Sequence, residues 1–231
     1  MIADEVQTGL GRTGRFYAFE HWALEPDVVT IAKSLGGGLI PCGAMLTRRE
    51  IYDKTFSRLD RCVVHSTTFG RNNMAMVAGL ATLHVMEEER VVENCEKMGK
   101  LLMEGLQQLK NKHEFMSEVR GKGLMIAIEF AEPKSLRLRA AWRLIQAADK
   151  GLFAQMVVVS LLKRHRILTQ VAGHHMDVIK ITPSLIIGQK EVDRMIHAFD
   201  NTLADCYKFP GAIWDMGTNL VRACIMSKRA A

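Results

Sequence analysis

The stretch Val28-Val29-Thr30-Ile31-Ala32 runs into Lys33 and then Ser34-Leu35-Gly36-Gly37-Gly38, and it constrains the fold more than any other part of the chain. So short a run of apolar and β-branched residues, closed by glycines, suits a buried strand better than a helix. The glycines let the backbone turn sharply and let another molecule come close to the main chain. A lysine at such a strand end is withheld from solvent and placed to condense with an aldehyde. Asp4, in Ile2-Ala3-Asp4-Glu5, closes a second apolar run. If the two strands are parallel neighbours, both side chains emerge at one edge of one sheet, where α/β proteins place their ligands.

With 231 residues, 48% of them apolar, the chain can bury roughly 70% or more of its unfolded surface, enough for one or two domains. The formal charge of +6 is dispersed in mixed stretches such as Glu87-Glu88-Glu89-Arg90, which argues against a nucleic-acid partner. Cys42, Cys62, Cys95, Cys206 and Cys224 are odd in number, widely spaced and form no C-x-x-C pair, so neither a zinc site nor a disulfide framework is expected, and the cytoplasm is the expected compartment. No stretch reaches the ~18 consecutive apolar residues of a membrane span, and no signal-peptide pattern opens the chain. A strand with a functional acid three residues after Met1 needs neighbours to cover it, so the chain reads as the downstream part of something longer.

Short apolar runs at 2–6, 28–32 and 42–47, separated by glycine-rich connections, predict strands of an α/β sheet. From Asn72 to about His113 the pattern predicts long helices, with Met74, Val77, Ala78, Ala81 and Val85 on one face and Leu101, Leu102, Leu106 and Leu109 on another; Asn72 or Asn73 can cap the first. Methionines 74, 76 and 86 are assigned to core packing. The turn Arg120-Gly121-Lys122-Gly123 feeds a strand at 124–130. Helices at 135–149 and 152–165, strands near 166–171 and 177–182, and an amphipathic helix near 189–207 complete the pattern. The division expected is 1–90, 91–208 as a smaller α/β domain, and 209–231 as a tail.

Gly9-Leu10-Gly11-Arg12-Thr13-Gly14 satisfies G-x-G-x-x-G. It is not a dinucleotide site, because Asp27 precedes its strand instead of closing it, and Arg12 and Arg15 crowd the place a pyrophosphate needs. Ser66-Thr67-Thr68-Phe69-Gly70, just before a helix start, gathers hydroxyls and free N–H groups into a phosphate seat or an ordinary capping cluster. His65, His174 and His175 lack a third ligand at metal-site spacing and are assigned to structural hydrogen bonds. Asp4 alone could be a strand-end cap; paired with Lys33 it suits a pyridine cofactor, whose ring nitrogen stays protonated beside a carboxylate.

Three blocks carry a resemblance. I-A-D-E-V-Q-T-G-L-G-R-T-G-R-F at 2–16, P-D-V-V-T-I-A-K-S-L-G-G-G at 26–38 and H-S-T-T-F-G-R-N at 65–72 resemble, in order and spacing, the class-III pyridoxal-phosphate-dependent aminotransferases, among them the ornithine, acetylornithine, putrescine and 4-aminobutyrate enzymes. R-G-K-G-L-M-I-A-I-E-F at 120–130 resembles the opening of that family's C-terminal domain. The resemblance implies a fold-type I α/β transferase, here a partial large domain at 1–90 followed by a small C-terminal α/β domain. It implies pyridoxal 5'-phosphate as cofactor, bound as a Schiff base to Lys33, with Asp4 on the pyridine nitrogen, Gln7 on the phenolic oxygen, Val6 near the ring and Thr68 on the phosphate across a homodimer interface. It implies transfer of an amino group from an amine or amino acid to an oxo acid. Alternatives left open are a non-catalytic fragment or interaction module, and an aminomutase or decarboxylase. Lys180, in Val178-Ile179-Lys180-Ile181-Thr182-Pro183, stands where the family usually carries an arginine for a substrate carboxylate, and it offers a point charge in place of a planar fork. Family members also carry an N-terminal half with the other phosphate loop and a ring-stacking aromatic, for which this sequence has no counterpart.

Overall fold

The computed structural model describes residues 1–208 together with 211, 213, 214 and 217; most of the expected tail at 209–231, including Cys224, lies outside the described residues. The chain divides into two compact units, Met1–Glu96 and Lys97–Ala231. The division expected after residue 90 falls six residues earlier, at the break before a long helix.

In the first unit, β1 (Ile2–Asp4) and β2 (Val28–Ile31) pair in parallel, with Asp4 opposite Thr30. β3 (Ala44–Thr47) lies antiparallel on the far side of β2, giving the order β1-β2-β3. The link from β2 to β3 contains a single 3-10 turn at Lys33–Gly36 and no crossover helix, so the third strand returns antiparallel. This sheet therefore contains one parallel and one antiparallel pair. α1 (Arg49–Phe56) follows β3. α2 (Asn73–Glu88) is capped by Asn72, whose Oδ1 accepts from the Ala75 N–H at 2.9 Å, and it stops before Arg90, which turns left-handed at φ 51°.

Burial in this unit departs from expectation. Met86 is buried, but Met74 is 65% exposed and Met76, Val77 and Val85 also face solvent. The side of α2 turned inward is its small-residue side, Ala75 and Gly79. Hydrophobic periodicity reports an apolar face; it does not report whether this chain holds the layer that would cover it.

The second unit is more completely packed. α3 (Val91–Lys112), which enters this unit at Lys97, leads into β4 (Met116–Lys122) and β5 (Met125–Phe130), then α4 (Leu136–Ala148), α5 (Leu152–His165), β6 (Gln170–Val171), β7 (Val178–Ile181) and α6 (Gln189–Cys206). The sheet is antiparallel in the order β4-β5-β7-β6. Along β5 the alternation is regular: Ile126, Ile128 and Phe130 are buried while the residues between them are half-exposed. Leu102 and Leu106 of α3, Phe153, Met156 and Leu161 of α5, and Phe199 and Leu203 of α6 are buried with them, and the Phe115 and Phe153 rings stack at 4.8 Å.

Two local devices hold this unit. α3 passes the 121–124 turn so closely that a Cβ on Gly99 would lie 2.3 Å from the Gly123 carbonyl carbon. The Asp177 carboxylate, ahead of β7, accepts from the Ala154 N–H at 3.1 Å in the first turn of α5 and from the Gln146 amide. Burial raises its pKa above the ordinary carboxylate value, and these hydrogen bonds offset part of that rise.

Candidate active site

The parallel register fixes the chemistry-bearing end of the first unit. β1 and β2 end side by side, so Asp4 at the end of one strand and Lys33, two residues past the end of the other, share a sheet edge. Asp4 is oriented by both strands: its Oδ1 accepts from the Val6 N–H at 3.1 Å and from Thr30 Oγ1 at 3.2 Å. Oδ2 has no hydrogen-bond partner among the described residues. Thr30, three residues before the lysine, therefore links the acid to the strand that carries the amine, a role that its β-branched strand pattern alone did not reveal.

Lys33 sits in the left-handed region at φ 49°, where an L-residue is strained by contact between its Cβ and the following carbonyl. Its ammonium makes no hydrogen bond or ion pair with a described residue. The conformation is imposed from both sides: the Leu35 N–H bonds back to the Ala32 carbonyl at 3.1 Å, and Gly37, itself at φ 65°, bonds to the Ser34 carbonyl at 3.0 Å. Beneath the turn, Leu35 is buried and faces Gly79 of α2, while Cys42 Sγ donates to the Ala75 carbonyl at 3.4 Å. A Cβ on Gly37 would approach Thr82 Oγ1 to 3.1 Å. Ala75, Gly79 and Thr82 recur at helical spacing on one side of α2, and their small size lets the lysine turn seat against the helix.

Glu5, not singled out in the sequence, is the buried carboxylate next to the site. It accepts from the Phe19 N–H at 3.0 Å and from Thr8 Oγ1, and its carbonyl accepts from the Gly9 N–H at 2.9 Å. These bonds fold residues 5–14 into a tight turn. That turn carries Val6, half-buried, and Gln7, exposed, next to Asp4. The glycines of the 9–14 motif serve this turn, Gly11 and Gly14 at φ 84° and 82°, and no helix begins there.

Thr68 lies on a separate exposed loop in which the Gly70 N–H bonds the Thr67 carbonyl at 3.1 Å, immediately before the α2 N-terminus. It makes no hydrogen bond to a described residue and is not joined to Asp4 or Lys33. Lys180 belongs to the other unit, in the middle of β7 between Ala127 of β5 and Gln170 of β6. It lines a concavity of about 370 Å³ together with Leu168, Thr169, Pro183 and Phe199, and its ammonium has no partner among the described residues. His65 is exposed, and His175 Nδ1 lies 2.9 Å from Asp149 Oδ1.

Burial at the site differs from expectation. Lys33 and Asp4 are both exposed, whereas the sequence predicts a strand end under cover. The amine and the acid are placed by the backbone, and among the described residues none forms a layer that would desolvate them.

Residues 1–203 match the family profile described as aminotransferase class-III. A mitochondrial alanine–glyoxylate aminotransferase 2 homologue of Arabidopsis thaliana is 36% identical over 203 residues, 88% of this chain and 39% of the relative. A transaminase from the marine bacterium Virgibacillus superposes with a TM-score of 0.75 at 29% identity, over 91% of this chain and 46% of that one. An ornithine aminotransferase from Toxoplasma gondii superposes with a TM-score of 0.72 at 29% identity, over 90% of this chain and 44% of that one. The chain thus spans less than half the length of each of these relatives, and over that portion it has the α/β fold of fold-type I transaminases.

Proposed function

Because the chain belongs to the class-III aminotransferase family, we propose that it is the lysine-bearing part of a pyridoxal-phosphate-dependent aminotransferase that moves an amino group from an amine or amino acid to an oxo acid. The observation that carries the reading is the juxtaposition of Lys33 and Asp4 at the ends of two parallel strands, with the acid held by Thr30 and the amine unengaged.

The residues present fit pyridoxal phosphate. An unpaired primary amine suits the aldehyde, the free Oδ2 of Asp4 suits a protonated ring nitrogen, and Gly38, around which an added Cβ would meet nothing within 4 Å, leaves room at the main chain. When bound, the cofactor supplies an electron sink for the carbon that bears the amino group. Lys33 Nζ would hold the cofactor and would carry a proton to and from that carbon. Asp4 would keep the ring nitrogen charged, Gln7 would donate to the phenolic oxygen, and Val6 would lie beside the ring. Thr68 would hold the phosphate of the opposite site in a homodimer. Lys180 attracts the substrate carboxylate as a point charge.

The test is direct. The purified chain is mixed with pyridoxal phosphate, reduced with borohydride and digested, and the modified peptide is mapped. Modification at Lys33 and its loss in Lys33→Arg are the expected results; modification scattered over surface lysines refutes cofactor binding by this site. The exposure of Lys33 and Asp4 favours a second outcome for the isolated chain, cofactor capture without turnover, in which an added amine leaves the absorbance of the bound cofactor unchanged.

A further inference from the structure

The 5–14 turn that carries Val6 and Gln7 ends, at Gly14, in the wall of a cavity of about 530 Å³ whose lining lies wholly within the first unit. Three elements meet there. α2 stops at Glu88, the left-handed Arg90 breaks the helix, and α3 starts at Val91. Gly11 and Gly14, also left-handed, bring the main chain of the turn against that break. A Cβ on Gly11 would lie 3.3 Å from Val92 Cγ2 and 3.6 Å from Met86 Cε, and one on Gly14 would lie 3.0 Å from Glu96 Cα. The lining is mixed. Phe16, Leu83, Met86 and Val92 supply an apolar wall, with Met86 buried at its back. Glu87, Glu93 and Glu96 supply carboxylates, against one cation, Arg15. Arg15 reaches Glu96 only at 3.9 Å and Arg90 reaches Glu93 at 3.9 Å, and all four side chains are more than half exposed. Ion pairs so long and so wet are weak and give way to a competing charge. The Glu87 carboxylate has no hydrogen bond or ion pair with a described residue.

We infer that this cavity binds a small organic amine, its ammonium among the carboxylates and its hydrocarbon or aromatic body against Phe16, Leu83, Met86 and Val92. Carboxylates alone would be a solvated helix surface, and the apolar wall alone a packing notch. Here both face one cavity, and its volume falls in the range of small-molecule sites, about 300–1,000 Å³. Charge selects the sign of the ligand. Three carboxylates against one guanidinium form a local negative excess in a chain whose formal charge is +6. A glycine-rich turn beside a helix start otherwise suits a phosphate, but these carboxylates repel one. The wall selects the body. A bare or fully hydrated cation gains nothing from four apolar side chains, whereas an amine with an apolar body takes them out of water. Among the described residues no group of three carboxylate, histidine or cysteine side chains is placed to hold a metal ion, which leaves an organic cation. The ligand is of the chemical class that the aminotransferase reading gives as donor, but the cavity uses neither Lys33 nor a cofactor and does not rest on that reading.

The test uses the full chain without pyridoxal phosphate, so Schiff-base chemistry at Lys33 plays no part. 2-Phenylethylamine is titrated at low ionic strength and followed by backbone amide chemical shifts, beside methylamine, 2-phenylethanol and 3-phenylpropanoate. The expected result is saturable binding with a Kd of about 1 mM or tighter, and binding weaker by about tenfold or more for each of the three comparison compounds. The shifts should centre on residues 14–16 and 83–96. Glu87→Gln should weaken the amine about two- to fivefold, as the loss of one exposed charge pair does, and replacing Glu87, Glu93 and Glu96 together by Gln should weaken it about tenfold or more. Unchanged amide shifts in β5 and α5 show that these variants fold, and the comparison compounds decide the matter without any variant. Equal binding of 3-phenylpropanoate overturns the choice of sign, and equal binding of methylamine overturns the role of the wall. Shifts centred on Asp4 and Lys33, or no saturation below about 10 mM, refute the site itself. Borohydride labelling of Lys33 can fail while the amine binds here, and the reverse, so the two ideas are separately refutable.

Discussion

Lys33 occupies a backbone conformation that glycine would adopt at no steric cost, and this allows the strain at the site to be measured. A left-handed L-residue costs about 1–2 kcal/mol in the folded state. Glycine at the same position removes that cost but makes the unfolded chain more disordered, which costs about 0.5–1 kcal/mol relative to alanine. The side chain of Lys33 is exposed and unpaired, so its removal contributes little, and Lys33→Ala against Lys33→Gly isolates the backbone term. The glycine variant should therefore be more stable than the alanine variant by about 1 kcal/mol, and at least as stable as the native chain. With urea slopes of about 1–3 kcal/mol per molar, the unfolding midpoint should differ by roughly 0.3–1 M at unchanged slope. An alanine variant as stable as the glycine variant would show that φ 49° is not the resting state of this turn, and would remove the argument that the chain holds its amine under strain. The confirming result would be a lysine kept for chemistry at a position where glycine is the better structural choice.

Other expectations concern the second unit and the cysteines. Asp200 accepts from Lys112 Nζ at 2.7 Å and His113 Nε2 at 2.6 Å, and His113 is only 3% exposed, with no partner for its Nδ1 among the described residues. Asp200→Ala should cost about 1–3 kcal/mol in urea unfolding, and Asp200→Asn, which keeps an acceptor for the ring, clearly less; equal losses would refute the hydrogen bond to His113. Burial alone would raise the Asp200 pKa, but the hydrogen bonds from Lys112 and His113 outweigh it and hold the carboxyl below its ordinary value. Its stabilisation is therefore fully present above the unfolded pKa, about 4, and is lost as pH falls through the lowered folded value; an acid-unfolding profile unchanged in Asp200→Asn would contradict this. Gly99→Ala should destabilise by about 1–3 kcal/mol because the added methyl meets backbone at Gly123, and a neutral effect by thermal denaturation would contradict that close approach. Burial pushes the Cys95 thiol up to about 11 despite the nearby Arg12 charge, so iodoacetamide at pH 8 should modify exposed Cys62 and spare Cys95 in the folded chain.

Much of the fold was legible because its signals are local. The cap at Asn72, the alternation in β5, the breaks before α4 and α5 and the extent of α6 follow from propensity, periodicity and turn residues within a few positions. The pairing of Asp4 with Lys33 was legible only conditionally, since two apolar runs imply strands but not that they are parallel neighbours. What sequence reasoning missed was set by contacts distant along the chain or by packing. Thr30 orients Asp4 across a strand pair, Glu5 ties its turn to the Phe19 backbone, and Asp177 reaches back to the start of α5. The misplaced expectation, methionines 74 and 76 in a core, has a single cause: an apolar face shows what a residue requires, and only the folded chain shows whether that requirement is met.

By itself, then, the order of residues determined the elements and the family and offered Lys33 and Asp4 as candidate amine and acid, because short apolar runs, glycines and caps act over a few residues. Tertiary structure decided that β1 and β2 are parallel, that Lys33 is left-handed and open to solvent, and that α2 turns its small side inward and leaves its large one bare. Those outcomes depend on which surfaces meet in three dimensions, and burial is a property of the pair of surfaces and not of either one alone.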